Sequence, residues 1–472
     1  MNIVSQNYIN WLNKLIIESI FKINTNIKLG GINNVFNYIN LIKEFDSLVN
    51  KTIVSAIREY LEQLDISYLN SIERKRKYHV KSYLPRTILT VFGEITFNRH
   101  FFKSKIDGSS FCYVDRQLGL KKYDYFDPYI RCLVIDKASQ SSISDACKFI
   151  NDLIGNRVCT KDKFQYLSRQ SARNIILSSE IADTEAEELE TKEELYIMAD
   201  EKWISTQYKK DGSKHKKHDR DKKTMVKSIV IFDGWSGIKR RRLTNKKVFA
   251  SDTENIINQS LDYIYKVYDV SKLKRIYIMG DGAKWIKALP QYYKFEHNTE
   301  VYYCLDKYHF KQALHHLAMN KTYEQYLLNY ILNDNKKAFE QLTEYIKKEN
   351  SKRIDTINKK YEYILSNWKD IQNIYKYKMS CPMESQISHN IASLFSSRPK
   401  GYSFKMLNKL LEIRLKFINK DNIKINYLKN YNYNKKINIT IEKFNFDIFD
   451  KYKQFIPLYT EKIYTSNYVQ YI

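Results

Sequence analysis

The chain has 472 residues, 43% of them hydrophobic, with 79 Lys and Arg against 53 Asp and Glu, a formal net charge of +26. That is room for two or three cores, and no apolar run reaches the roughly 18 to 20 residues of a membrane span. Cys112, Cys132, Cys147, Cys159, Cys304 and Cys381 are scattered with no CxxC pair, which excludes a disulfide framework and an ordinary zinc ribbon and predicts reduced, mostly buried thiols. A field of this sign draws polyanions, nucleic acid above all. An AT-rich coding sequence would also enrich Asn, Ile, Lys and Tyr, but drift spreads lysines evenly, whereas here they cluster.

The first residues, "MNIVSQNYINWLNKLIIESIF", lack the basic start and cleavage site of a signal peptide. They read as an amphipathic helix of a cytoplasmic protein, and residues 1–75 as a helical region. In 76–126, "RTILTVF" and "EITFNRHFF" alternate and Gly93-Glu94 offers a turn, so a β-hairpin is expected behind the basic run Arg74 to Lys77. Residues 127–182 return to helical spacing, with Ser142 or Ser144 capping the second helix and Thr160 the third. Two short helices joined near Gly155-Asn156 resemble a helix-turn-helix. Its last helix carries Lys163 and Arg169, donors suited to phosphates and base edges.

The acidic "DTEAEELETKEE" (183–194) marks a domain boundary. Beyond it "LYIMADEKWISTQ" is a strand, and the loop 209–223 holds eight basic and three acidic residues, among them Lys209, Lys210, Lys216 and Lys217. Two further strands lie around Asp233-Gly234, a turn, and the basic run there includes Arg240, Arg241 and Arg242. A helix capped by Ser251 or Thr253 follows, then the strand "RIYIMGDG", a helix, and the strand "VYYCLD". Residues 195–310 thus form the first part of an α/β core and 311–378 an all-α insertion. Residues 379–420 complete the core with the helix "CPMESQISHNIASLF", and 421–472 form a tail rich in Asn, Lys and Tyr.

Three antiparallel strands followed by parallel strands with crossovers describe a ribonuclease H-like catalytic core. In that fold the first and fourth strands are neighbours and a late helix packs on them. Asp200, Asp281 and Glu384 would then converge. Converging carboxylates repel unless they share cations, and hard oxygen ligands suit Mg²⁺, with Mn²⁺ as its substitute. Two such ions activate a water or a 3′-hydroxyl and stabilise the leaving oxygen. The glycines on either side of Asp281 would let the chain turn sharply and keep bulk away from metal and DNA. Glu201 should point to the opposite face of its strand. Glu384 is also compatible with a plain solvent-facing residue, although His389 and Arg398 follow it and its helix is less charged than the segment before. Arg398 in "SSRPKG" suits a phosphate.

"ADE" at 199–201, "GDGAKWI" at 280–286, "CLDKYHF" at 304–310 and "CPMESQISHNIASLFSSRPKGYS" at 381–403 resemble the ISLre-type insertion-sequence transposases, relatives of the Mutator-like DDE enzymes. The resemblance runs from about 75 to 405. It implies a DDE nuclease and strand transferase with Asp200, Asp281 and Glu384 as the metal-binding acidic triad. Asp306 and His309 match the Asp/Cys-x-x-His element that Mutator-like enzymes carry and would lie near the site. The expected partner is double-stranded DNA, transposon ends and target, with no membrane and with homo-oligomers assembling on the DNA. Two other readings stay open: a non-catalytic DNA-binding protein derived from a transposase, and a structure-specific nuclease of the same fold.

Overall fold

The computed structural model describes residues 17–19, 21, 35–155, 167–181, 189–207, 223–237, 242–295, 299–396 and 401–433. Helix α1 (Val35–Asn70) and the short basic α2 (Ile72–Lys77) lead into the hairpin β1 (Tyr78–Thr90) and β2 (Gly93–Ser104). The small β3 (Ser110–Cys112) and α3 (Tyr113–Leu118) follow. The hairpin is antiparallel, Thr90 opposite Gly93. Its turn is therefore Val91-Phe92, two residues before the expected Gly93-Glu94, and Gly93 takes the left-handed φ of +126° at the first paired position of β2. Leu61 of α1 packs on Ile88, Ile95 and Phe97 of the hairpin.

Helices α4 (Pro128–Gln140), α5 (Ile143–Gly155) and α6 (Arg169–Leu177) come next. Asp127 caps α4 by accepting from the Ile130 N–H. Ser142, not Ser144, caps α5, accepting from the Asp145 N–H and donating to its carboxylate. Ser168 caps α6 by accepting from the Ser171 N–H, so Arg169 is its first described residue; the expected cap Thr160 lies outside the described residues.

The main sheet is built from β4 (Glu194–Ser205), β5 (Lys223–Phe232), β8 (Lys247–Ser251), β9 (Arg275–Gly280) and β10 (Glu300–Leu305), with β6 (Gly234–Ser236) and β7 (Arg242–Thr244) forming a separate ribbon. Where two strands were expected around Asp233, the chain thus makes a longer excursion before β8 joins the sheet. The order is β10-β9-β4-β5-β8. β4, β5 and β8 are antiparallel neighbours, whereas β9 runs parallel to β4 and β10 parallel to β9. The runs Leu195–Ala199, Ile229–Phe232 and Ile276–Met279 are continuously apolar because helices cover both faces.

Helix α7 (Asn255–Val267) starts without a side-chain cap; Ser251 and Thr253 bond to each other instead. The short α8 (Lys284–Lys287) follows β9. After β10 come α9 (Lys307–Ala318), α10 (Lys321–Leu332), α11 (Lys336–Glu349), α12 (Ile354–Ser366) and α13 (Trp368–Lys376), which share one apolar core with the sheet. Helix α14 (Met383–Ile387) runs through a π-helical turn, Ser388–Ala392, into α15 (Ser393–Phe395), and α16 (Phe404–Ile418) and α17 (Ile423–Tyr433) complete the described chain. A second core joins Ile130, Ile135, Ile150 and Ile176 to Ile391, Phe395, Leu407 and Tyr427. The helices before the sheet and those after it therefore bury each other. Among the described residues no helix is long and apolar enough to cross a membrane, and Cys112, Cys132, Cys147 and Cys304 are free and buried.

Candidate active site

Strand β4 outruns β9. Their parallel register pairs Met198 with Met279, so two residues further on Asp200 stands beside Asp281. The register of β10 on β9 pairs Leu305 with Gly280, so one residue further on Asp306 stands on the other side of Asp281. Three aspartates thus sit at one end of three adjacent parallel strands, where open α/β sheets place reactive groups.

Each has one oxygen held by the main chain. Asp200 Oδ1 accepts from the Glu201 N–H at 2.7 Å and Asp281 Oδ1 from the Ala283 N–H at 2.9 Å. Asp306 Oδ1 caps α9 by accepting from the Tyr308 N–H at 3.2 Å, and its Oδ2 meets His309 Nδ1 at 2.6 Å. Burial pushes the Asp200 carboxyl up to about 6; the Glu201 N–H opposes the rise, the charge of Asp281 adds to it, and His309 offsets part. His309 is raised above its ordinary value by its bond to Asp306, with burial opposing and the charges of Asp306, Asp281 and Asp200 adding.

The two flanking glycines each have a cause among the protein's own neighbours. A Cβ on Gly280 would come within 2.6 Å of Ile286 Cγ2 and 3.0 Å of the Ala199 carbonyl. Gly282 has φ +95° and sits against Asn367 and Leu305. Both keep bulk from protein neighbours.

Glu201 faces away from Asp200 as its strand parity requires, and accepts from Trp285 Nε1 at 2.8 Å. Asp233 anchors a turn: burial works against its charge, but Lys192, Thr244 and Asn245 outweigh this and hold the carboxyl below its usual value. Glu384 lies on α14, which packs against β4, but its side chain is exposed. Among the described residues no three His, Cys, Asp or Glu side chains gather closely enough to hold a metal ion as a group. Arg169 and Arg242 are exposed, at the starts of α6 and β7. Lys163, Lys209, Lys210, Lys216, Lys217, Arg240, Arg241 and Arg398 lie outside the described residues. Tyr303, whose hydroxyl accepts from the Gly282 N–H at 3.0 Å, was not singled out from the sequence. Nothing in the run "EVYYCL" distinguishes it from ordinary strand core.

The state of Asp200 has a measurable consequence. Folded, it keeps its proton to about pH 6; unfolded, only to about pH 4. Folding therefore binds a proton between these values, and the stability this residue contributes is full below pH 4 and lost as pH rises through 6. In metal-free buffer Asp200→Asn should match wild type at pH 4 and exceed it by about 2 kcal/mol at pH 7. Denaturant midpoints at the two pH values measure this, and equal midpoints at pH 7 would contradict it.

A profile of the uncharacterised protein family UPF0236 matches residues 31–427. A UPF0236 protein of Caldanaerobacter subterraneus subsp. tengcongensis is 27% identical over 400 residues, 81% of this chain and 79% of its own length. Another from the same organism, 27% identical over 398 residues and covering 81% and 78% of the two chains, carries eleven locus designations in its name. Among solved structures, the Drosophila P element transposase strand transfer complex aligns with a TM-score of 0.26 and 12% identity, over 66% of this chain and 84% of that one. A likeness that slight carries no argument.

Proposed function

Because the chain belongs to the uncharacterised protein family UPF0236, a membership that brings no activity with it, we propose a function from its own residues. It is a DDE-type DNA transposase of the ISLre type. It binds the ends of its insertion sequence, cleaves phosphodiester bonds there and joins the ends to target DNA. The observation that carries this reading is the pair Asp200 and Asp281, half-buried neighbours at the ends of parallel strands, with burial and the Asp281 charge raising the Asp200 carboxyl.

Numbered from β4, the sheet order is 3-2-1-4-5, which supports a ribonuclease H-like core. Two carboxylates with one oxygen each already bonded to a main-chain N–H fit a hard divalent cation, which takes one or two carboxylates and leaves places for water and phosphate. Bound there, Mg²⁺ or Mn²⁺ would supply Lewis-acid activation of the attacking oxygen and neutralise the leaving one. Asp200 and Asp281 hold that position, and Glu384 is the third carboxylate, brought in by α14 when DNA engages. His309, oriented by Asp306, presents its other ring nitrogen to a phosphate. Arg398 and the lysines and arginines at 209–217 and 240–242 track the backbone without reading bases. In the helix-turn-helix reading, α6 offers Arg169 and Arg173, both exposed, to the end DNA. The many loci of one relative suit an element that copies itself within a genome. The active form is a homo-oligomer on double-stranded DNA.

The exposure of Glu384 favours one competing reading, a transposase-derived DNA binder without catalysis. Incubating the protein with Mg²⁺ and DNA carrying the element's terminal repeats separates the two. The transposase reading expects cleavage at the ends and joined products, both abolished by chelator. Binding without cleavage would establish the binder, and cleavage without joining a structure-specific nuclease.

A further inference from the structure

The loop that presents Asp281 is gripped from outside the sheet. Tyr363 of α12 donates its hydroxyl to the Asp281 carbonyl at 2.9 Å, across 82 residues of sequence. Asn367, between α12 and α13 and 2% exposed, is held by its amide donors to the Tyr363 carbonyl at 2.7 Å and to Ser366 Oγ at 3.2 Å. Its Oδ1 is left buried with no hydrogen-bond partner among the described residues, 3.2 Å from where a Cβ of Gly282 would stand. From the other side, Tyr303 accepts the Gly282 N–H, and Asn373 of α13 donates to the Tyr303 carbonyl at 2.8 Å. Helix α8, which continues the loop, is tied to the same place: Lys287 Nζ donates to the Ser366 carbonyl at 3.0 Å and lies 3.9 Å from Asp370.

A loop between a strand and a four-residue helix has little structure of its own to fix a carboxylate. An orphaned buried acceptor costs stability, and here one is tolerated against the glycine that turns the Asp281 loop. We propose that Tyr363, braced by Asn367, is a positioning residue for Asp281, and that α12 and α13 serve the active site by setting the height and direction of that carboxylate for the cation. Tyr363 touches neither substrate nor cation; it acts through the Asp281 peptide. The inference rests on the nuclease reading of Asp200 and Asp281.

Tyr363→Phe removes one hydroxyl and keeps the ring, so the fold should stand. Tyr361→Phe, on the same helix α12, with its ring stacked on Phe339 of α11, is the control. Hydrogen exchange of the 277–288 segment should be about tenfold faster in Tyr363→Phe and unchanged in the control, as loss of one hydrogen bond predicts. Mn²⁺ affinity of the full chain, read from the free-ion paramagnetic resonance signal, should fall about fivefold in Tyr363→Phe alone. Affinity for end DNA should stay within about twofold of wild type. Unchanged exchange, or faster exchange with unchanged Mn²⁺ affinity, overturns the positioning role. A wild type that takes up no Mn²⁺ brings down the nuclease reading instead, and the inference with it.

Discussion

Asp281→Asn is expected to bind end DNA as wild type does and to cleave it at least about a thousandfold more slowly. The amide keeps the shape of the side chain and can still accept from the Ala283 N–H, so the loop survives. What it loses is the negative charge next to Asp200. Phosphodiester transfer is mostly positioning and charge stabilisation, so a missing cation ligand raises the barrier by several kcal/mol, roughly 4 for a thousandfold. The fold gains slightly without metal, because one of two repelling carboxylates is gone. Paired assays of binding and Mg²⁺-dependent cleavage decide the matter. Wild-type cleavage by the mutant would sink the carboxylate account.

The second large effect is expected at Arg414, on α16. This buried side chain donates to the carbonyls of Asn390 at 2.9 Å, His389 at 3.1 Å and Ser139 at 3.1 Å, and to Ser393 Oγ at 3.3 Å. A π-helical turn loosens the regular ladder and leaves carbonyls in need of donors, and Arg414 supplies them while tying the turn after Glu384 to the end of α4. Arg414→Met keeps the length and apolar volume but removes all four bonds, leaving the His389 carbonyl only its bond from Ser393 Oγ. It should cost about 3 kcal/mol of stability, since the relief of desolvating a cation offsets part of the loss. Chemical denaturation measures it, with Arg353→Met as an exposed control. An unchanged midpoint would mean that the acceptors find other partners at no cost.

Much of the sheet was legible because strands buried on both faces leave runs such as Ile276–Met279 that no amphipathic helix imitates. Asp200 and Asp281 could be found because each interrupts or ends such a run. Where the residues alone do not show an arrangement, contacts distant in sequence decide it. The register that sets Asp306 beside Asp281 depends on how β10 lies against β9. The bond from Tyr363 to Asp281 spans 82 residues, and nothing local to either distinguishes it. The second core was missed for a related reason: periodicity says that α4 and α16 each have an apolar face, not that the faces meet. Local pattern narrowed the cap of α5 to Ser142 or Ser144, and the structure takes Ser142; at α7 neither Ser251 nor Thr253 caps, because the two bond to each other. For Glu384 the pattern located a helix, and the structure leaves its side chain in solvent.

The central claim is that Asp200 and Asp281 hold a divalent cation against DNA. Anomalous diffraction from a crystal of the protein with end DNA and Mn²⁺ locates that ion directly. The account predicts a peak roughly 2.2 Å from a carboxylate oxygen of each aspartate, with Glu384 turned in as the third ligand. DNA bound across the ends of β4 and β9 with no Mn²⁺ at either aspartate would contradict it.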